Sequence, residues 1–227
     1  MESSGKFKLR LATDEDVPAL HALIEASVRG LQAGDYTQAQ IEGALGTVLG
    51  LDTQLIRDKT YFVAEVEDRE AYSSGAEALV DHGEITRGLK PQPPSESSPG
   101  VGDNALTYQP LTNQLAGCGG WSKRKTLFGA DRGPGREPEL LDPATDSAKV
   151  RAIFVHPRFA RMGLGSLILS TVEEAAHEAG FKRYEMGSTL TGVSLYRLKG
   201  YVEVERIGVP LWNGEALPVV KMVKAAS

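Results

Sequence analysis

Between Phe154 and Leu169 the chain reads FVHPRFARMGLGSLIL: an apolar stretch stopped by a proline, two arginines, Gly-x-Gly, a serine and a second apolar run. Read as a strand that turns into a helix, this stretch suits anion chemistry. The first turn of a helix exposes N–H groups without partners and a partial positive charge. Glycine at 163 and 165 removes the Cβ atoms that would hold an anion away from that backbone. Arg161 adds a full charge and Ser166 a hydroxyl, so a phosphate or pyrophosphate is the expected ligand. A plain strand-to-helix turn would use the same glycines. Two familiar phosphate loops are excluded: the dinucleotide pattern needs a third glycine where Ile168 stands, and the Gly-Lys-Ser/Thr of the P-loop is absent.

Other residue types that could do chemistry are sparse. Cys118, between Gly117 and Gly119, reads as a small buried thiol rather than a nucleophile. His156 closes a strand before Pro157 and titrates in the neutral range when unperturbed. Glu173 and His177 have the i, i+4 spacing of metal ligands, but nothing completes a site, so they read as a solvated helix face and no metal is expected. Trp121 and Trp212 could line an acceptor pocket or anchor the core. Glu185 is the one carboxylate on the following strand that could serve as a base.

Positioning these residues requires strands at 6–12, 60–66, 114–122, 148–156, 184–188, 201–207 and 217–223. Helices are expected from the Thr13/Asp16 start signal to Arg29, from Thr37/Gln40 to Leu49, from Leu164 to Gly180 and over 192–198. The helix after Gly165 carries its apolar residues at Leu164, Leu167, Ile168, Val172, Ala175 and Ala179, with Gly180 as its stop. Residues 83–104, with KPQPPSESSPGVGD, are too rich in Pro, Ser and Gly to pack. Residues 123–147 form a second long connection that Leu127, Phe128, Leu140 and Leu141 could pin to the surface. Both fall between strands of one sheet, which makes residues 1–227 a single domain with two loop insertions.

The 227 residues, 41% hydrophobic, suffice for one sizeable core. A net charge of −5 argues against broad nucleic-acid binding, and one cysteine excludes an internal disulfide framework. MESSGKFKLR has no apolar core of a targeting segment, and no apolar run reaches membrane-spanning length. A soluble cytoplasmic protein is expected, with a nuclear location left open.

VHPRFARMGLGSLIL, followed about 30 residues on by SLYRLKGY, resembles the GNAT superfamily of N-acetyltransferases. Val155 and Pro157 fit its strand end, Gly163 and Gly165 its Q/R-x-x-G-x-G/A loop, and Tyr196, Gly200 and Tyr201 its later block. Departures are Ala160 at the Q/R position and Thr189 where the family often has Asn. The resemblance implies an α/β (α+β) fold with a mixed, mostly antiparallel sheet of six to seven strands. That sheet would be splayed near the cofactor and flanked by about four helices. It implies an enzyme that moves an acetyl group from acetyl-CoA to a primary amine by direct attack in a ternary complex. The cofactor would lie on Phe154, Val155, Arg161, Met162, Gly163, Leu164, Gly165 and Ser166, with the Val155 N–H facing the oxyanion and Tyr196 protonating the leaving thiolate. A non-catalytic acyl-CoA sensor, or a lysine or N-terminal protein acetyltransferase, would share most of these residues. The acceptor is a small-molecule or peptide amine; nucleic-acid and membrane partners are not expected, and a homodimer is left open.

Overall fold

The structure, a computed structural model, describes residues 6–67, 115–133 and 136–225. The expected loop at 83–104 lies outside the described residues, as does Gln114. Strand β1, Phe7–Leu11, buries Phe7 and Leu9 and exposes Lys8. Thr13 and Asp16 form the expected reciprocal cap around a 3-10 turn. Helix α1, Val17–Leu31, follows and buries Leu20, Leu23, Ile24 and Val28 on one stripe.

Helix α2, Gln38–Ala44, starts at the Thr37/Gln40 box as expected but ends five residues before Leu49. The chain turns away at Leu45 and at Gly46, whose φ of +75° is left-handed. A five-residue helix, α3 (Thr53–Arg57), was not foreseen; Asp52 caps it by accepting from the Gln54 N–H.

The remaining elements are β2 (Tyr61–Val66), β3 (Gly117–Ser122), β4 (Ala148–Val155), α4 (Leu164–Glu178), β5 (Arg183–Thr189), α5 (Val193–Leu198), β6 (Val202–Pro210) and β7 (Ala216–Ala225). Gly180, at φ +94°, follows the end of α4 as the helix stop. The seven strands form one mixed sheet in the order β1-β2-β3-β4-β5-β7-β6. Only β4 and β5 are parallel.

Alternation along β3 sorts the two layers. Gly117 and Gly119 face Leu164 and Ile168 of α4, so close that a Cβ on either would collide with Ile168. Cys118 points the other way, into the core shared with α1, α2, α3, Tyr61 and Phe154. Trp121 is on the α4 side, edge to face with Phe181 at 5.6 Å. Among the described residues no helix is long and apolar enough to cross a membrane.

The connection 123–147 is less peripheral than its composition suggests. Arg124 forks onto Asp58 (2.8 and 3.0 Å), Ala130 N–H donates to Thr47 C=O, and Asp131 accepts from Thr53. Leu141 is buried and Phe128 packs against the core, whereas Leu140 is exposed.

Candidate active site

β4 and β5 pair over two residues only, Ala148 with Tyr184 and Lys149 with Glu185, and then diverge. The cause is visible in β4. Its register with β3 slips between Cys118/Phe154 and Gly120/Arg151, so Gly119 faces both Ala152 and Ile153, and Ala152 takes a left-handed φ of +51°. The bulge bends the strand away from β5.

Beyond the bulge, His156 N–H donates to Ala116 C=O at 2.9 Å. In an antiparallel ladder hydrogen-bonded and non-hydrogen-bonded pairs alternate, so the main chain of Phe154 faces Cys118. Val155, one residue on, turns its N–H and C=O to the opposite edge, where β5 has already left. The preceding residues of the strand, Val150 to Phe154, line a cleft together with Gln32, Val48 to Gly50, Leu127 to Gly129, Met186 to Thr189 and Tyr196.

Past the strand, a 3-10 turn over Pro157–Phe159 leads to Arg161 (φ +62°) and Gly163 (φ +84°), the N-cap of α4. No side chain caps the helix, and among the described residues no acceptor meets the N–H groups of residues 161–166. A Cβ on Gly163 would meet nothing within 4 Å, so open space lies where an anion would sit. Gly165 has a different use, since its Cβ would come within 3.2 Å of Leu195 Cδ2 on α5. Arg161 and Gly163 are exposed and Met162, Gly165 and Ser166 half-buried, but the Leu164 side chain is core, so only its main chain faces the turn. Six consecutive N–H donors, an open direction over Gly163 and a neighbouring arginine fit a phosphate-bearing group.

Tyr196 sits on α5 with its ring edge-on to Tyr201 at 5.9 Å. Burial pushes its hydroxyl up to about 12, so it holds its proton at neutral pH. Its hydroxyl makes no hydrogen bond among the described residues. Tyr196 and the β4 residues Val150 to Phe154 thus line one cleft, and Val155 follows directly on that stretch.

Several sequence candidates fall outside the site. Glu185 is clamped by Lys149 at 2.7 Å and Lys221 at 2.8 Å. Burial opposes its ionisation, but these two partners hold it below the usual carboxylate range, which leaves no free base there. Cys118 is driven up to about 12 by burial, the wrong direction for a nucleophile. Trp121 packs in the α4 layer and Trp212 is exposed, so neither lines the cleft. Glu173 binds Lys224, and no cluster of three metal-ligating side chains exists among the described residues.

Sequence reading missed the far wall of the cleft. Arg151 on β4 is held by Asp52 (3.0 Å) and donates to the carbonyls of Thr126 and Gly129; Asp52 also takes Arg136 at 3.1 Å. Both members of the Arg151–Asp52 pair are only 2% exposed. This buried network ties the 123–147 connection to the bulged strand.

Residues 142–225 match the family described as the acetyltransferase (GNAT) domain. No curated protein sequence matches the chain significantly. Among solved structures, a GCN5-related N-acetyltransferase from Rhodopseudomonas palustris is 17% identical, with a TM-score of 0.57 over 99% of this chain and 98% of that one. The PaiA N-acetyltransferase of Thermoplasma acidophilum, solved in complex with coenzyme A, is 11% identical with a TM-score of 0.53 (96% and 98% covered). A ribosomal-protein-alanine N-acetyltransferase from Brucella melitensis is 16% identical with a TM-score of 0.51 (96% and 99% covered). At these identities the likeness is one of fold, the fold of the GNAT N-acetyltransferases, and the match to the acetyltransferase (GNAT) family is confined to residues 142–225.

Proposed function

We propose that the protein transfers an acetyl group from acetyl-CoA to a primary amine. The observation that carries this reading is the run of N–H groups at residues 161–166, which meet no acceptor among the described residues, shortly after a strand whose residues Val150 to Phe154 share a cleft with Tyr196.

Acetyl-CoA supplies an acyl group activated as a thioester. The N–H groups of 161–166 and Arg161 bind its phosphates. The exposed edge of Val155 pairs with the amide-bearing arm in the manner of an added strand. Its N–H donates to the oxygen on which negative charge develops during attack. Tyr196, kept protonated by burial, gives its proton to the departing sulfur. With Glu185 clamped, a water or a main-chain carbonyl takes the proton of the amine. The acceptor enters through the wall built by α1, the α2–α3 connection and residues 127–129.

An acyl-CoA sensor would need the N–H run and the strand edge but not a protonated tyrosine on the cleft, so Tyr196 favours the enzyme. Calorimetry with acetyl-CoA, followed by assay of thiol release with amines, tests the reading. Binding without release for any amine would leave a sensor.

A further inference from the structure

Gln32 stands at the end of α1 and is 5% exposed, yet its side-chain oxygen Oε1 is buried with no hydrogen-bond partner. A buried polar atom in that state costs stability and calls for a reason. The main chain of Gln32 is fixed: its N–H donates to Val28 C=O (3.2 Å), and its C=O accepts from the N–H groups of Asp35 (3.0 Å) and Tyr36 (3.1 Å). Gln32 is one of the residues lining the cleft that holds Tyr196.

Two other polar side chains of that lining are committed. Arg151 is spent on Asp52 and two carbonyls, and Ser188 Oγ donates to Thr189 C=O at 2.7 Å. Oε1 is the one buried side-chain acceptor of the described lining that has no partner. Rotation about the soft terminal torsion of the amide suffices to present it. The described lining contains no Asp or Glu, and the network behind it, Asp52 with Arg151 and Arg136, carries one surplus positive charge.

We infer that Gln32 determines acceptor specificity: its Oε1 accepts a hydrogen bond from an N–H of the acceptor. The matching class is a monoamine with a neighbouring neutral amide, as at a peptide N-terminus, rather than a polycationic amine. A neutral carbonyl satisfies one N–H, but it supplies no counter-charge for further ammonium groups, which the surplus charge disfavours. This inference rests on the acetyltransferase reading above.

The test compares the wild type with Gln32→Leu and Gln32→Glu on two probes, an alanyl tripeptide amide and spermidine, by release of free thiol from acetyl-CoA. The wild type is expected to prefer the peptide. Gln32→Leu should raise the peptide KM about tenfold or more, leave the acetyl-CoA KM within about twofold, and melt at or above the wild-type temperature because the orphaned acceptor is gone. Gln32→Glu should move preference toward spermidine. An unchanged peptide KM in Gln32→Leu, a melting temperature that falls along with it, or a wild type that prefers spermidine overturns the role of Gln32 and leaves the transferase reading standing. A wild type that acetylates neither probe overturns the role of Gln32, and one that binds acetyl-CoA but releases thiol with no amine at all overturns the transferase reading as well.

Discussion

The Tyr61 hydroxyl lies 3.1 Å from the carbonyl oxygen of Ala152, reaching from β2 beneath β3 to the bulge in β4. Cys118 Sγ is also 3.1 Å away. The hydroxyl donates toward both the Ala152 carbonyl and Cys118 Sγ, and the thiol in turn points at the same carbonyl at 3.9 Å. The path is open because Gly120 stands above the ring; a Cβ there would meet Tyr61 Cδ2 at 2.6 Å. A left-handed alanine is strained by roughly 1–2 kcal/mol, and this bond offsets part of the strain. Tyr61→Phe should therefore destabilise the fold by about 1–3 kcal/mol, since the carbonyl loses its closer donor and keeps only the weak thiol contact. It should also lower turnover by loosening the strand end that aims Val155. Urea denaturation with turnover at saturating acetyl-CoA checks this; a full-rate, full-stability variant would show the bond to be incidental.

The two glycines of the turn should fail in different ways. Gly163→Val places a β-branched side chain at φ +84° and into the space reserved for phosphate. A stability loss of roughly 1–2 kcal/mol and a large loss of CoA affinity are expected. Gly165→Val presses on Leu195, one residue before Tyr196, so turnover should fall even at saturating cofactor. Equal CoA affinity in the wild type and Gly163→Val, measured by calorimetry, would refute the phosphate cradle.

Tyr196→Phe removes one hydroxyl and keeps the ring on Tyr201. CoA affinity should barely move while turnover drops by roughly 10²-fold if proton donation limits the rate. Full activity in this variant, with an acetylated amine in hand, would sink the general-acid role. Tyr196→Ala should instead cost about 3–5 kcal/mol of stability.

Alkaline pH should weaken the fold in a defined window. Tyr196 and Tyr36 are both pushed up to about 12, chiefly by burial, from an ordinary value of 10.0. Above pH 10 the unfolded chain releases these protons and the folded chain does not. The folded state then binds more protons, so stability falls as pH rises from 10 to 12, by about 2–3 kcal/mol per tyrosine at most. Denaturation at pH 8 and pH 11 should show the drop, and Tyr196→Phe should show a smaller one.

Asp52→Asn should be among the most damaging single changes, at about 3–5 kcal/mol, because it leaves the buried Arg151 guanidinium without its counter-charge. Limited proteolysis is expected to cut within 126–133 first, since that segment is anchored through Arg151 and Arg136.

How much of this was legible depended on whether the signal was local. Helix α4 announced itself through its apolar period and through Gly163 and Gly180, whose left-handed backbones only glycine adopts easily. The divergence of the sheet came from the family resemblance, and nothing in the sequence marked its source: Ala152 occupies a left-handed position without the usual Gly or Asn. The cleft wall was equally silent. Asp52, Arg136 and Arg151 lie up to 99 positions apart (52 to 151), and their pairing depends on tertiary packing that no window of sequence contains. Helix α3 has five residues, too few to show a period, and only its cap, Asp52, hinted at it. Gln32 looked like any polar residue after a helix.

The short pairing of β4 with β5 has a mechanical meaning as well. Main-chain ladders of four or more residue pairs link β1 through β4 and again β5, β7 and β6, but only two residue pairs join the blocks. The joint is also pinned by the Lys149–Glu185 pair, which reaches from β4 to β5. Amide hydrogen exchange should therefore divide the sheet into two cooperative units of unequal lifetime. A ligand arm laid along Val155 would act as a splice, lengthening the lifetime of both.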